Sequence, residues 1–202
     1  MLFQEYKFAK KLFLDKNVLE IGCNQGLTTL QISKFAKTVT AIDNNEIHIS
    51  NAKKQKIKKN IRYLHVDFFD KKKMSTLGKF EIIYLREIFN FLEIKKKDQL
   101  IKLLFKNLNT NGKMIITDFY SNVFFRKKMI NFVKLNFVKS LNDKKKAEIY
   151  HFKDDEDLKN FFLKYEMNLS IFKKDPLTEH IKFLVKFIEY IYPCKYTIIL
   201  TK

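Results

Sequence analysis

Asn17-Val18-Leu19-Glu20-Ile21-Gly22-Cys23-Asn24-Gln25-Gly26 is the stretch whose reading decides the fold of this chain. An apolar run carrying one acid meets a glycine and, four positions later, a second. Leu27, Leu30, Ile32, Phe35 and Ala36 then recur at helical spacing without a break. The pattern predicts a strand, a tight turn and the start of a helix. Glycine tolerates positive φ and has no Cβ, so such a turn brings bare backbone close to a ligand. Gly22, Cys23, Asn24 and Gly26 are therefore the first candidate binding residues.

Outward from the turn, strands alternate with helices. Residues 2–14 place Leu2, Phe3, Tyr6, Phe8, Leu12 and Phe13 at helical spacings and predict an N-terminal helix over 1–14. Residues 38–42 are β-branched and alternating, residues 47–57 read as a helix with a lysine-rich face, and residues 61–66 form a third strand. Residues 80–85 make a fourth, 94–108 a helix, and 114–119 a fifth. This alternation argues an α/β fold: a Rossmann-like, doubly wound, mostly parallel sheet with helices on both faces. Residues 154–165 and 177–191 read as further helices, and 167–172 and 196–201 as two further strands, for seven in all. Val123 to Leu141 breaks the alternation with phenylalanines among lysines, and predicts a helical cap inserted at about 121–150 within a single domain of 1–202.

A parallel sheet of this kind binds its ligand at the carboxyl ends of the strands. Glu20, Asp43, Asp67, Arg86 and Asp118 close the first five strands, and four of them are acids. A dinucleotide fingerprint wants glycine at relative positions one, three and six, where this chain has Gly22, Asn24 and Leu27. Glu20 beside a pyrophosphate would also cost roughly 1–4 kcal/mol per charge pair. Beside a cationic amino acid it is attracted. S-adenosylmethionine carries an ammonium and a sulfonium, so the arrangement prefers that cofactor. Asp43 can accept protons from both ribose hydroxyls, with Asn44 next to it. Asp67 can accept from an adenine amino group while Phe68 covers the ring face.

With those residues in place the chain resembles class I S-adenosylmethionine-dependent methyltransferases. Glu20, Gly22, Asn24 and Gly26 match the family's acid-glycine turn, Asp43 its ribose acid and Asp67 its adenine acid. Phe80-Glu81-Ile82-Ile83-Tyr84-Leu85 matches its fourth-strand motif, and the run 196–202 its last, antiparallel strand. The middle glycine of the family is Asn24 here; asparagine accepts the left-handed region, so positive φ is expected there. The resemblance implies that Leu85 and Arg86 line the cofactor and that Arg86-Glu87 border the reactive methyl. Glu87 is the candidate general base, with an Arg86–Glu87 ion pair as the competing reading. His151, after the inserted segment, is a second catalytic candidate, and His65, within strand three, reads as packing.

The net charge of +18 would ordinarily suggest nucleic acid or an anionic surface. Only Arg62, Arg86 and Arg126 are arginine among 40 basic residues, so the excess is lysine, as A/T-rich coding would produce. A capped pocket points to a small-molecule acceptor, methylated on oxygen or nitrogen, and RNA is the alternative partner. A non-catalytic methyltransferase-fold binding protein is a third reading. The Asn-Pro-Pro-aromatic motif of base N-methyltransferases is absent after strand four. Cys23 and Cys194 offer neither a disulfide framework nor a zinc spacing, and no run approaches a membrane span. The expectation is a soluble, cytoplasmic enzyme without a metal.

Overall fold

A computed structural model describes residues 11–55, 58–119, 152–174 and 195–202. The start of the N-terminal helix, the cap segment, His151 and the helix expected over 177–191 lie outside the described residues. A helical turn at 11–13 leads into β1 (Asn17–Ile21), followed by α1 (Leu27–Ile32), β2 (Thr38–Asp43), α2 (Glu46–Lys54), β3 (Ile61–His65) and α3 (Lys71–Thr76). Then come β4 (Phe80–Arg86), a 3-10 turn (Phe89–Phe91), α4 (Ile94–Asn107), β5 (Leu108–Phe119), α5 (Asp155–Leu163), β6 (Asn168–Lys174) and β7 (Lys195–Thr201).

The strands form one seven-stranded sheet in the order β3-β2-β1-β4-β5-β7-β6. Neighbours from β3 to β5 pair in parallel, and β7 runs antiparallel to both β5 and β6. Strand order reverses between β1 and β4, which places the ligand crevice outside their carboxyl ends.

Alternation along each strand sends side chains to two cores. Leu19, Ile21, Ile83, Leu85, Met114 and Ile116 join α4 and α5 on one face. Val18, Val39, Ala41, Ile82, Tyr84 and Ile115 join α1, α2 and Phe13 on the other. The same period fixes the polar residues: Glu20 shares a face with Val18, Asp43 with Ala41, and Arg86 with Tyr84, all toward α1. Asp118 shares a face with Met114 and Ile116, toward α4.

Three details differ from the sequence reading. Helix α2 is capped by Asn45, whose side chain accepts from Ile47 N at 2.9 Å and His48 N at 3.3 Å, and it ends at Lys54 rather than 57. Helix α3 went unseen because only Met74 in it is buried, too little for a periodic signal. His65 is exposed, not packed: it ends an edge strand, and its Nε2 lies 3.0 Å from Asn44 O.

Candidate functional site

The turn after β1 carries three left-handed residues, Gly22 (φ 70), Asn24 (φ 49) and Gly26 (φ 82). Asn24 thus adopts the positive φ that its place in the turn requires. A Cβ on Gly22 would lie 2.3 Å from Ile88 Cδ1, and one on Gly26 would lie 2.4 Å from the Tyr63 hydroxyl. Both glycines are therefore demanded by neighbours as well as by backbone conformation.

The turn spends its own N–H groups on the protein. Gly22 N and Cys23 N both donate to Ile42 O, at 2.8 and 3.0 Å, and Gly26 N donates to Cys23 O at 2.9 Å. Asn24 N donates to Asp43 Oδ2 at 2.8 Å. A pyrophosphate needs such donors pointing outward. This turn is a rigid wall for a ligand that brings its own donors.

Glu20 is 3% exposed and accepts from Thr29 Oγ1 at 2.5 Å across the β1–α1 junction. Burial pushes its carboxyl up to about 7, opposed by the Thr29 hydrogen bond and by Arg86. Asp43 takes a second backbone donor, Asn45 N at 2.9 Å, and His48 Nδ1 stands 3.4 Å from its Oδ1. A carboxylate has about four acceptor positions, so these bonds fix its orientation and leave capacity for a ligand hydroxyl. Asn44 is exposed beside it. Asp67, exposed, accepts from Phe69 N at 2.8 Å, and half-buried Phe68 packs on Phe69 with ring centroids 4.8 Å apart.

After β4, Arg86 Nε meets Glu87 Oε1 at 3.2 Å and Arg86 Nη1 meets Thr28 Oγ1 at 3.4 Å. Glu87 has φ 55, and its N donates to Thr117 O at 2.8 Å. The ion pair between neighbours is thus present in the structure. Glu20, the glycine turn, Asp43, Arg86 and Glu87 gather at the carboxyl ends of β1, β2 and β4.

Three residues of the expected site turn inward. Leu85 is fully buried in the core beside Ile21 and Ile116, so only its backbone reaches the edge. Cys23 is 4% exposed, with its thiol pushed up by burial and by the nearby Glu20 and Asp43, and it is inert packing. Asp118, expected at the ligand edge, is fully buried, and its Oδ2 accepts from Asn90 N at 3.1 Å. A cavity of about 230 Å³ lined by Lys71, Ser75 and Asn107 lies at the amino ends of β4 and β5, away from all of these groups.

A methyltransferase domain family matches residues 13–166, most of the chain and all of this edge. The chain belongs to that family. One relative of this domain is "Probable S-adenosyl-L-methionine-dependent methyltransferase TehB" of Haemophilus influenzae, 27% identical over 108 residues. That match takes in 54% of this chain and 37% of the relative, so the chain spans well under two thirds of it. Among solved structures, an S-adenosylmethionine-dependent methyltransferase from Mesorhizobium loti superposes with a TM-score of 0.70 at 12% identity, covering 100% of this chain and 97% of the other. The N-methyltransferase NodS from Bradyrhizobium japonicum, in complex with S-adenosyl-L-homocysteine, gives 0.65 at 16% identity over 98% and 86%. At such identities the likeness is one of fold.

Several residues at this edge escaped the sequence reading. Thr28 and Thr29 open α1 and reach Arg86 and Glu20. Tyr63, whose hydroxyl covers Gly26, is held near Glu20 and Thr29, and burial pushes its pKa up. Leu27 and Ile47 are exposed apolar residues at or near the starts of α1 and α2. Exposed leucine or isoleucine at the start of a helix, on the ligand edge of a sheet, was the available signal.

Proposed function

We propose that this chain is an S-adenosylmethionine-dependent methyltransferase acting on an oxygen or nitrogen atom of a small molecule. The observation that carries the cofactor is the turn itself. The N–H groups of Gly22, Cys23, Asn24 and Gly26 are taken up within the protein, while Glu20 and Asp43 offer acceptors to a ligand rich in donors and positive charge. Bound there, S-adenosylmethionine supplies an activated methyl on a sulfonium leaving group.

The chain's own residues then have separable tasks. Glu20 draws the amino-acid ammonium, and Asp43, oriented by Asn24 N and Asn45 N, receives the ribose hydroxyls. Asp67 and Phe68 flank the base, Asn44 lies beside the ribose acid, and the Gly22–Gly26 wall fixes depth. Arg86 and Glu87 border the acceptor, and Glu87 is positioned to take a proton from a hydroxyl or ammonium nucleophile. Rate comes mainly from alignment of donor and acceptor.

The small-molecule reading rests on the place of residues 120–151. The chain leaves the sheet after β5 and returns at Phe152, which is buried against Phe161 and Phe162 beside the segment after β4. Read from its sequence as a cap, the segment 121–150 favours a small, enclosed acceptor. His151 comes at its end and is a candidate acceptor contact.

Calorimetry with S-adenosylhomocysteine tests the cofactor. Wild-type protein should bind, and Asp43→Ala should weaken binding roughly 10- to 100-fold, the worth of hydrogen bonds to a charged group. No heat from the wild type would sink the proposal. Methyl transfer from labelled cofactor to a metabolite panel, set against tRNA and rRNA, tests the acceptor; incorporation into RNA alone would overturn the small-molecule reading. Glu87→Gln should lower turnover roughly 10²- to 10⁴-fold if Glu87 is the base.

A further inference from the structure

The segment Glu87–Leu92 crosses the acceptor side of the site with one short 3-10 turn of its own. Two buried ionisable side chains from elsewhere hold it. Asp118 on β5, fully buried, accepts from Asn90 N at 3.1 Å at the entry to the turn. Lys97 on α4, 1% exposed, donates from Nζ to Phe89 O and, at 2.7 Å, to Leu92 O at the exit. Its Nζ also lies 5.5 Å from the Phe89 ring centre and 5.9 Å from that of Phe152.

Burying an ammonium is costly unless every donor finds an acceptor, and an apolar side chain of the same length would fill this space without that penalty. What a lysine adds is a donor for Leu92 O and a second donor for Phe89 O, which already accepts from Leu92 N at 3.0 Å. The segment so held has a second contact, because the Ile88 side chain packs against Gly22, closely enough to crowd a Cβ added there. The grip therefore extends from β5 and α4, through the 3-10 turn, to the wall of the cofactor site.

We propose that Lys97 and Asp118 are positioning residues for methyl transfer, fixing Glu87–Leu92 so that Ile88 backs the Gly22 turn and Glu87 is presented to the acceptor. The inference rests on reading this edge as the cofactor and acceptor side. Of the charged groups around Lys97, Asp118 faces it from β5; the segment after β4 contributes two carbonyls and the Phe89 ring, and Phe152 a second ring. Burial pushes Lys97 down to about 7, with Asp118 opposing. Charged or neutral, the amine keeps N–H groups for both carbonyls, so the grip does not depend on its titration.

Hydrogen exchange read by mass spectrometry, with calorimetric titration of S-adenosylhomocysteine, tests the proposal on wild type, Lys97→Met, Lys97→Gln and Asp118→Asn. Lys97→Met should speed exchange at residues 89–92 about tenfold or more relative to β2 and α2, and weaken S-adenosylhomocysteine several-fold. Lys97→Gln, which retains N–H donors, should recover part of both effects. Uniform acceleration over all elements, or unchanged exchange at 89–92, would overturn the proposal and make Lys97 a core residue only. Should Lys97→Met fail to fold, Lys97→Gln and Asp118→Asn decide the question, with faster exchange at Asn90 expected in Asp118→Asn. Absence of binding by the wild type would count against the cofactor reading instead, and the exchange pattern would still report on the grip.

Discussion

The turn after β1 and the segment after β4 leave adjacent strands at the same edge of the sheet, and both bend through left-handed residues. In the first these are Gly22, Asn24 and Gly26; in the second it is Glu87. The first turn is held by one bond of its own main chain, Gly26 N to Cys23 O, and by Ile42 O and Asp43 of the neighbouring strand β2. The second is held by Thr117, Asp118 and Lys97, five to 30 positions from the groups they grip. The first turn leans on one adjacent strand through main-chain N–H groups, the second on side chains from β5 and α4 as well. An acceptor segment anchored by distant side chains can change its exposed residues while its support stays in the core.

The largest expected effect that would break this contrast is at Gly22. Gly22→Val puts a β-branched residue at φ 70 with its Cβ 2.3 Å from Ile88 Cδ1, and should cost about 2–4 kcal/mol of stability in denaturant titrations. Tolerance within experimental error would show that Ile88 and the turn are loosely coupled. Next comes Glu20. Its folded pKa of about 7 lies above the ordinary 4.5, so the folded state holds the proton more tightly, and stability is lost as pH rises from about 4.5 to about 7. Glu20→Gln should flatten that loss. A ligand ammonium favours the ionised form, so S-adenosylhomocysteine binding should release up to one proton near pH 7. Calorimetry in buffers of different ionisation enthalpy reads it directly; identical heats in all buffers would remove Glu20 from ammonium recognition. The smallest effect belongs to Asn24→Gly, which relieves an αL asparagine while loosening the unfolded chain. It should shift stability by less than about 1 kcal/mol and leave affinity unchanged.

The sheet was legible because each strand ends in a change of period and a polar residue. The turn was legible because two glycines and an acid are a local pattern. What brackets the turn was not: Ile88 over Gly22 comes from the segment after β4, and Tyr63 over Gly26 from β3. Lys97 was hidden as the third lysine of Lys95-Lys96-Lys97, yet Leu100, Ile101 and Leu104 follow it at three, four and seven positions. That phase marks Lys97 as part of the buried face of α4. Asp118 was placed with the ligand acids by its position at a strand end, whereas its alternation with Met114 and Ile116 assigns it to the core. In both cases periodicity held more information than residue type.

The placing of β7 between β5 and β6 has a kinetic consequence. Strand β6 precedes β7 along the chain but touches the sheet only through it, over the register Asn168↔Thr201 to Lys174↔Lys195. Its place in the sheet depends on β7, which docks along Lys113–Phe119 of β5. That docking closes a loop of some 75 residues, an entropic toll that local helix formation does not face. This flank is thus more non-local in sequence than the parallel β1–β4 core, and the expectation is that it forms after that core.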